Sequence, residues 1–432
     1  MGLAGRVAAG TPAGRDRYLD ALRVGAVLLV VLGHWLVRGV VAPGGQPEAV
    51  YLLAAEPGWI RASPLFQVMP LVFLVGGAVN AASWRRARAL GVTPVAWLRR
   101  RARRLLRPAV PLLLVVVPLW GLAGTLLPGW LVLSPGVALV PLWFLAAYLA
   151  VTALTPWSLA LHDRGWSPAL IVVAAGLAGG VDLVRLAGVG PVLGTQPLAG
   201  APNFVLVWGA MHQLGHLWER GVWPARRAGQ AGLVLLGAAG LWGLIGLGGW
   251  PLAMVPVEGS TAPNNAAPPT LALLALGLVQ AGLAGLLAGP ARGWLARPRV
   301  WVWVALPGAR LITLFLWHQA VQVAVTNLGV GLGWGVMAET VGLRWWAGQG
   351  LWLVLSAGGL AAVVLAFGRF EAPAGEPPPG GAGRTLLGVG LVAAGIAGLL
   401  WLHVTDLPPV LALAGLGVLL AGLRAVGALG RP

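Results

Sequence analysis

The chain reads as an all-α, polytopic membrane helix bundle, on three observations. Of its 432 residues, 58% are hydrophobic and only 9% charged, whereas a soluble domain carries about 25% charged residues. Apolar stretches long enough to cross hydrocarbon, about 18 residues or more, recur along the whole length. None of them alternates in polarity as the strands of a membrane barrel do. Helices remain, because every backbone group must be satisfied inside lipid.

Twelve spans are predicted, roughly at 19–40, 62–82, 108–127, 136–156, 167–188, 201–219, 229–249, 269–289, 310–331, 348–368, 385–402 and 409–427. Residues 1–18 precede them as a tail; it is Arg-bearing but has no apolar core before Leu19, so it does not read as a cleaved signal peptide. Residues 371–384 are rich in Pro and Gly and cannot be helical throughout. They divide a ten-helix core, 19–370, from a C-terminal two-helix hairpin and tail, 385–432. Tryptophans near span ends, such as Trp59, Trp84, Trp130, Trp166, Trp223 and Trp345, are expected in interfacial belts.

Orientation follows from arginine. All 29 basic residues are arginine, and 24 of them fall on the N-terminal side of the predicted layer, nine between Arg85 and Arg107. That side is expected to be cytoplasmic, with both termini on it. The opposite side holds Glu48, Glu56, Glu258, Glu339 and Asp406. Arginine without lysine, alongside abundant Ala, Gly, Val, Leu and Pro, points to a high-GC bacterium, hence a bacterial plasma membrane. The net charge of +17 is therefore topological, and no nucleic-acid partner is expected. Cysteine is absent, which excludes disulfides, thiolate metal sites and cysteine nucleophiles.

Polar groups inside spans are costly and so are candidates for function. In span one, RYLDALRVGAVLLVVLGHWLV, Arg23 and His34 are eleven residues apart. They share nearly one helical face, about 16 Å apart along the axis. Asp20 lies three before Arg23 and is placed to pair with it. A coenzyme A thioester has an anionic nucleotide end and a reactive carbonyl on an arm on the order of 15–20 Å long. An arginine would hold the phosphates, and a deeper histidine would meet the thioester as base or nucleophile. The plainer alternative has Arg23 snorkelling and His34 bonding a neighbouring helix.

Arg104 and Arg107 end the basic loop, three apart and just before Pro108, and would clamp a diphosphate. Positive-inside anchoring and attraction to anionic lipid account for most of that loop's other arginines. His212 and His216, four apart in span six, and His318 with Gln322, four apart in span nine, are candidates for the lining of a cavity, with Asp20 beside them. Helix–helix hydrogen bonding is the alternative for each. No metal site is expected, since the histidine pair lacks the glutamate of an HExxH motif. Asp182 and Arg185 in span five are expected to neutralise each other.

Several segments, in order, resemble the acyltransferase 3 family of integral membrane acyltransferases. LDALRVGAVLLVVLGHW resembles its first helix, with Arg, ten residues and His; PLFQVMPLVFLVGGAVN its second; RRLLRP its Arg-x-x-Arg element; PLWFLAAYL its fourth helix; and LFLWHQ a late Tyr-Leu-His-like stretch. The resemblance covers about residues 15–370. It implies transfer from an acyl-CoA co-substrate, with no resident cofactor, to a hydroxyl on a glycan, a lipid or a small glycoside. His34 would then be catalytic, and Arg23, Arg104 and Arg107 would serve the donor. Gly76-Gly77 stands where many members have Ser-Gly, and no soluble domain follows the core. A transporter or lipid flippase is the alternative, since twelve spans with midplane polar groups also suit alternating access; no internal repeat supports it.

Overall fold

The computed structural model describes residues 2–429 apart from 13, 127–130, 191, 194–195, 222–225, 259, 261, 334–337, 373–374, 376–379 and 406, with backbone only at 192–193 and 196–197. Trp130, Trp223, Asp406, Arg431 and part of the 371–384 linker lie outside the described residues. The longer helices are α1 (Arg17–Val37), α2 (Met69–Ala89), α3 (Pro94–Leu106), α4 (Ala109–Leu126), α5 (Leu142–Asp163), α6 (Ser167–Leu186) and α7 (Asn203–Glu219). They continue with α8 (Arg227–Leu241), α9 (Leu271–Leu295), α10 (Leu311–Gly331), α11 (Leu343–Phe367), α12 (Ala382–His403) and α13 (Ala412–Ala425).

Ten helical segments among the described residues are long and apolar enough to cross a membrane. The predicted spans at 201–219 and 409–427 instead hold helical segments of 17 residues, α7 and Pro409–Ala425, about 26 Å at the α-helical rise. For α7 the reason is composition. It carries His212, Gln213 and His216 and buries most of its positions, so it needs little lipid-facing apolar surface. The chain is a multi-pass membrane protein of all-α class.

The first span ends earlier than the apolar run suggests. After Val37 the chain becomes β1 (Arg38–Val41), which pairs antiparallel with β2 (Glu48–Tyr51), Arg38 opposite Tyr51. Val40 and Val41 favour extended backbone, and Gly44 and Gly45 supply the positive φ of the turn.

The chain divides into two compact units. The first comprises Met1–Val30, Gly58–Gly91 and Ala150–Leu311. Within it α8 packs on α9, and α7 packs on α2 and α6. A Cβ on Gly77 of α2 would collide with the His212 carbonyl of α7, and one on Gly215 of α7 with the Leu74 carbonyl of α2. Small residues thus let the two backbones touch, as in lipid-embedded pairs. Phe73 stacks on Trp208 at the same crossing, 4.6 Å between centroids.

Asp182 and Arg185 direct their hydrogen bonds elsewhere than to each other. Asp182 accepts from Asn203 Nδ2 (2.8 Å), Trp250 Nε1 (3.0 Å) and the Leu271 backbone N–H (2.7 Å), so it caps α9. Arg185 donates to the carbonyls of Pro268 and Asn264. Both organise the loop before α9.

The second unit comprises Val31–Pro57, Val92–Leu149 and Ile312–Pro432. Here α12 packs on α13, and α13 on α4. Thr93 caps α3 by accepting from the Ala96 N–H, with Pro94 at the first helical position. Glu371 closes the start of α10, accepting from the N–H groups of Ile312 (3.1 Å) and Thr313 (2.9 Å) and from Thr313 Oγ1 (3.0 Å). A carboxylate there meets the positive end of the helix dipole. Of the described tryptophans expected in belts, Trp59 and Trp166 are exposed, but Trp84 and Trp345 are buried. Trp345 packs with Leu52 and Ala338, where burying an indole outweighs an interfacial position.

Candidate active site

The second unit brings His34 and His318 together. His34 Nδ1 lies 2.8 Å from His318 Nε2, with ring planes 14° apart. His318 Nδ1 is in turn 2.5 Å from the Phe315 carbonyl. These contacts assign the tautomers of neutral rings. The carbonyl only accepts, so His318 Nδ1 carries the proton and His318 Nε2 presents a lone pair. His34 Nδ1 must therefore donate, leaving the lone pair of His34 on Nε2. One face of α10 thus fixes which nitrogen of His34 is basic.

The surroundings hold this pair in place. Trp35 Nε1 donates to the His318 carbonyl (3.0 Å). Gln322 Nε2 points at the carbonyls of Trp35 (3.4 Å) and His34 (3.5 Å). Arg38 Nη1 donates to Gln319 Oε1 (3.0 Å), and Gln349 Nε2 to the Arg38 carbonyl (3.2 Å). Phe315 packs edge-on against Phe144 at 5.2 Å. His318 and Gln319 are fully buried, and His34 is half-buried. The sequence alone does not tie Trp35, Arg38 or Gln349 to this site, whereas Gln319 stands beside His318 and Gln322 in the polar stretch of span nine. Gln319, adjacent to His318 in WHQ, is legible as a polar residue within a span, and so is Gln349, the second residue of the predicted span 348–368.

On the basic helix α3, Arg99, Arg103 and Arg107 follow at intervals of four and are buried, while Arg104 is exposed on another face. Arg99 donates to the Gly380 carbonyl (2.8 Å) and Arg103 to that of Gly375 (2.5 Å), so the linker uses two of these donors. Arg107, just beyond α3, is pushed below its ordinary pKa by burial and then by the Arg103 charge. Its guanidinium makes no hydrogen bond to a described residue.

In the first unit Asp20 pairs with Arg23 (3.3 Å), as the spacing of three predicts, and also with Arg15 (2.5 Å). The same unit gathers a second polar cluster. His212 Nε2 and Thr152 Oγ1 both lie 3.1 Å from Asn80 Nδ2. The His216 ring sits 4.9 Å from that of His212 and 5.9 Å from that of His162. Both His216 nitrogens are buried without a hydrogen-bond partner among the described residues. His162 is not marked by the sequence, because it lies beyond the predicted span 136–156, which α5 overruns, and far from the other two histidines in the chain. Among the described residues no three histidines or acidic groups are arranged to hold a metal ion.

Searches of curated proteins and of solved structures returned no match. A family model does match, that of the acyltransferase 3 domain, over residues 16–368. This segment runs from just before α1 to just past α11 and contains the His34–His318 pair, the basic helix and the histidine cluster, so the chain belongs to the acyltransferase 3 family and is a multi-pass membrane acyltransferase.

Proposed function

We propose that this acyltransferase moves an acyl group from a cytoplasmic acyl-CoA to a hydroxyl on a glycan, a lipid or a small glycoside, with His34 Nε2 as the general base. The observation that carries this reading is the His34–His318 contact, which leaves a lone pair on Nε2. The acceptor O–H gives its proton to Nε2 as its oxygen bonds to the thioester carbon. The C–S bond then breaks, and the proton passes from Nε2 to the departing thiolate, giving an ester and free coenzyme A. The histidine ends as it began, so no further reactant is required.

Arg23, Arg104 and Arg107 serve the donor's phosphates, where a planar guanidinium binds phosphate oxygens in pairs. Buried Arg107, whose guanidinium has no hydrogen-bond partner among the described residues, best supports such a contact. The donor is a co-substrate, and no resident cofactor is invoked. The arginine bias supports a bacterial plasma membrane with both termini in the cytoplasm.

The direct test is His34→Ala in membranes supplied with acetyl-CoA, following acyl transfer. Loss of turnover with normal protein abundance is expected. Retention of full turnover removes His34 from the chemistry.

A further inference from the structure

The buried arginines of α3 have weak partners for groups of their charge. Arg99, Arg103 and Arg107 are 9%, 8% and 4% exposed and follow at intervals of four. Each therefore sits about 6 Å from the next along the axis, on nearly one face. Among the described residues their guanidiniums meet only two acceptors, the carbonyls of Gly380 for Arg99 (2.8 Å) and Gly375 for Arg103 (2.5 Å).

A neutral carbonyl compensates a desolvated cation poorly, because hydrogen bonds to a charged oxygen are roughly twice as strong when both partners carry charge. Each guanidinium also has five N–H groups, and Nε of Arg99 and of Arg103 is buried with no acceptor among the described residues. A phosphate answers both needs, since its oxygens take two N–H groups of one guanidinium side by side. The carbonyl contact is nonetheless made by close fit. A Cβ on Gly380 would lie 2.4 Å from Arg99 Nη1, so a glycine is what lets the chain come this near.

We propose that Gly375 and Gly380 are stand-ins for phosphate: their carbonyls hold Arg103 and Arg99 while no donor is bound, and acyl-CoA binds by displacing them, taking both arginines in addition to Arg107. This rests on acyl-CoA as the donor, and it adds two phosphate-binding residues and a competitor built into the chain. Both glycines lie beyond residue 368, where the family match ends, so the competition belongs to the C-terminal addition. A tie that only holds α3 to the linker would weaken the protein whichever partner is altered. Competition gives opposite signs on the two sides of one hydrogen bond.

The probe is desulfo-CoA, which carries the phosphates but no thiol, titrated by calorimetry into the full chain in phosphatidylcholine nanodiscs. Arg99→Gln and Arg103→Gln should each raise its Kd at least about threefold. Gly380→Ala, which drives Arg99 Nη1 off the carbonyl, should lower it at least about twofold. The chain has no cysteine, and a Cβ at Gly381 meets nothing within 4 Å, so Gly381→Cys takes a single methanethiosulfonate spin label beside the contact. Desulfo-CoA should add a mobile component to its electron paramagnetic resonance spectrum. This readout carries the test if Gly380→Ala fails to fold. A spectrum unchanged by bound desulfo-CoA, a Gly380→Ala protein that binds no tighter than the parent, or normal binding by both arginine variants overturns the displacement. A mobile component that appears in phosphatidylglycerol nanodiscs without nucleotide overturns the donor as the occupant and makes it an anionic lipid. If desulfo-CoA does not bind the parent chain, the acyl-CoA reading falls and the displacement with it. If it binds while Gly381→Cys stays unchanged, that reading stands and the displacement alone falls.

Discussion

Replacing His318 tests the tautomer argument, because His318 touches no proposed reacting atom and acts through His34. In His318→Phe the ring volume is retained but the acceptor 2.8 Å from His34 Nδ1 is lost. A neutral hydrogen bond is worth about 0.5–1.5 kcal/mol net, and each 1.36 kcal/mol is tenfold in rate. Without the acceptor, His34 is free to carry its proton on Nε2, where it cannot act as a base. Turnover should fall about tenfold through this effect, against about a hundred- to ten-thousand-fold for removing the base in His34→Ala. The assay follows free coenzyme A with a thiol reagent, and the cysteine-free chain contributes no background. His318→Gln offers Oε1 to His34 Nδ1 and should recover most of the loss. The double variant His34→Ala/His318→Phe should be no slower than His34→Ala, since the two act as one unit. A His318→Phe enzyme with normal kcat, or additive losses in the double variant, would refute the tautomer argument.

Arg107→Ala should raise the KM for acetyl-CoA several-fold with a smaller change in kcat, and exposed Arg104→Ala should raise it less; equal KM values for both variants and the parent would remove the donor contact. Gly77→Ala forces α2 away from the His212 carbonyl and should lower stability by about 1–3 kcal/mol, the usual cost of overpacking, read as a drop in Tm in detergent. His216→Phe removes two buried unpartnered nitrogens and should raise Tm while leaving acyl transfer unchanged; a lower Tm would mean that those nitrogens are satisfied in the membrane.

The spans were legible because the apolar runs are long and the arginines between them are strongly biased. The hairpin Arg38–Tyr51 was not, because β-branched residues at the end of an apolar run continue the helix-like signal. The Asp20–Arg23 pair follows from local spacing and appears as expected. The His34–His318 contact joins positions 284 residues apart, and nothing in either local segment states the partner. The same limit explains Asp182 and Arg185. Their spacing suggests a mutual pair, but a loop some eighty residues on supplies better partners for each. The burial of Arg99, Arg103 and Arg107, and not of Arg104, depends on which face of α3 is covered, and a run this rich in arginine does not reveal it.

Glu371 has a practical consequence for dissecting the chain. It lies three residues past the end of the family match, at the first position of the Pro/Gly segment, yet its carboxylate holds the first turn of the helix that carries His318 and Gln322. A chain trimmed to the matched boundary would lose that anchor along with the last two helices. Its failure would then be wrongly charged to the missing hairpin. A cut placed just after Ala372 removes the hairpin and the linker carbonyls that Arg99 and Arg103 use but keeps Glu371, so comparing the two truncations isolates what residues 369–372, with that carboxylate, do for α10.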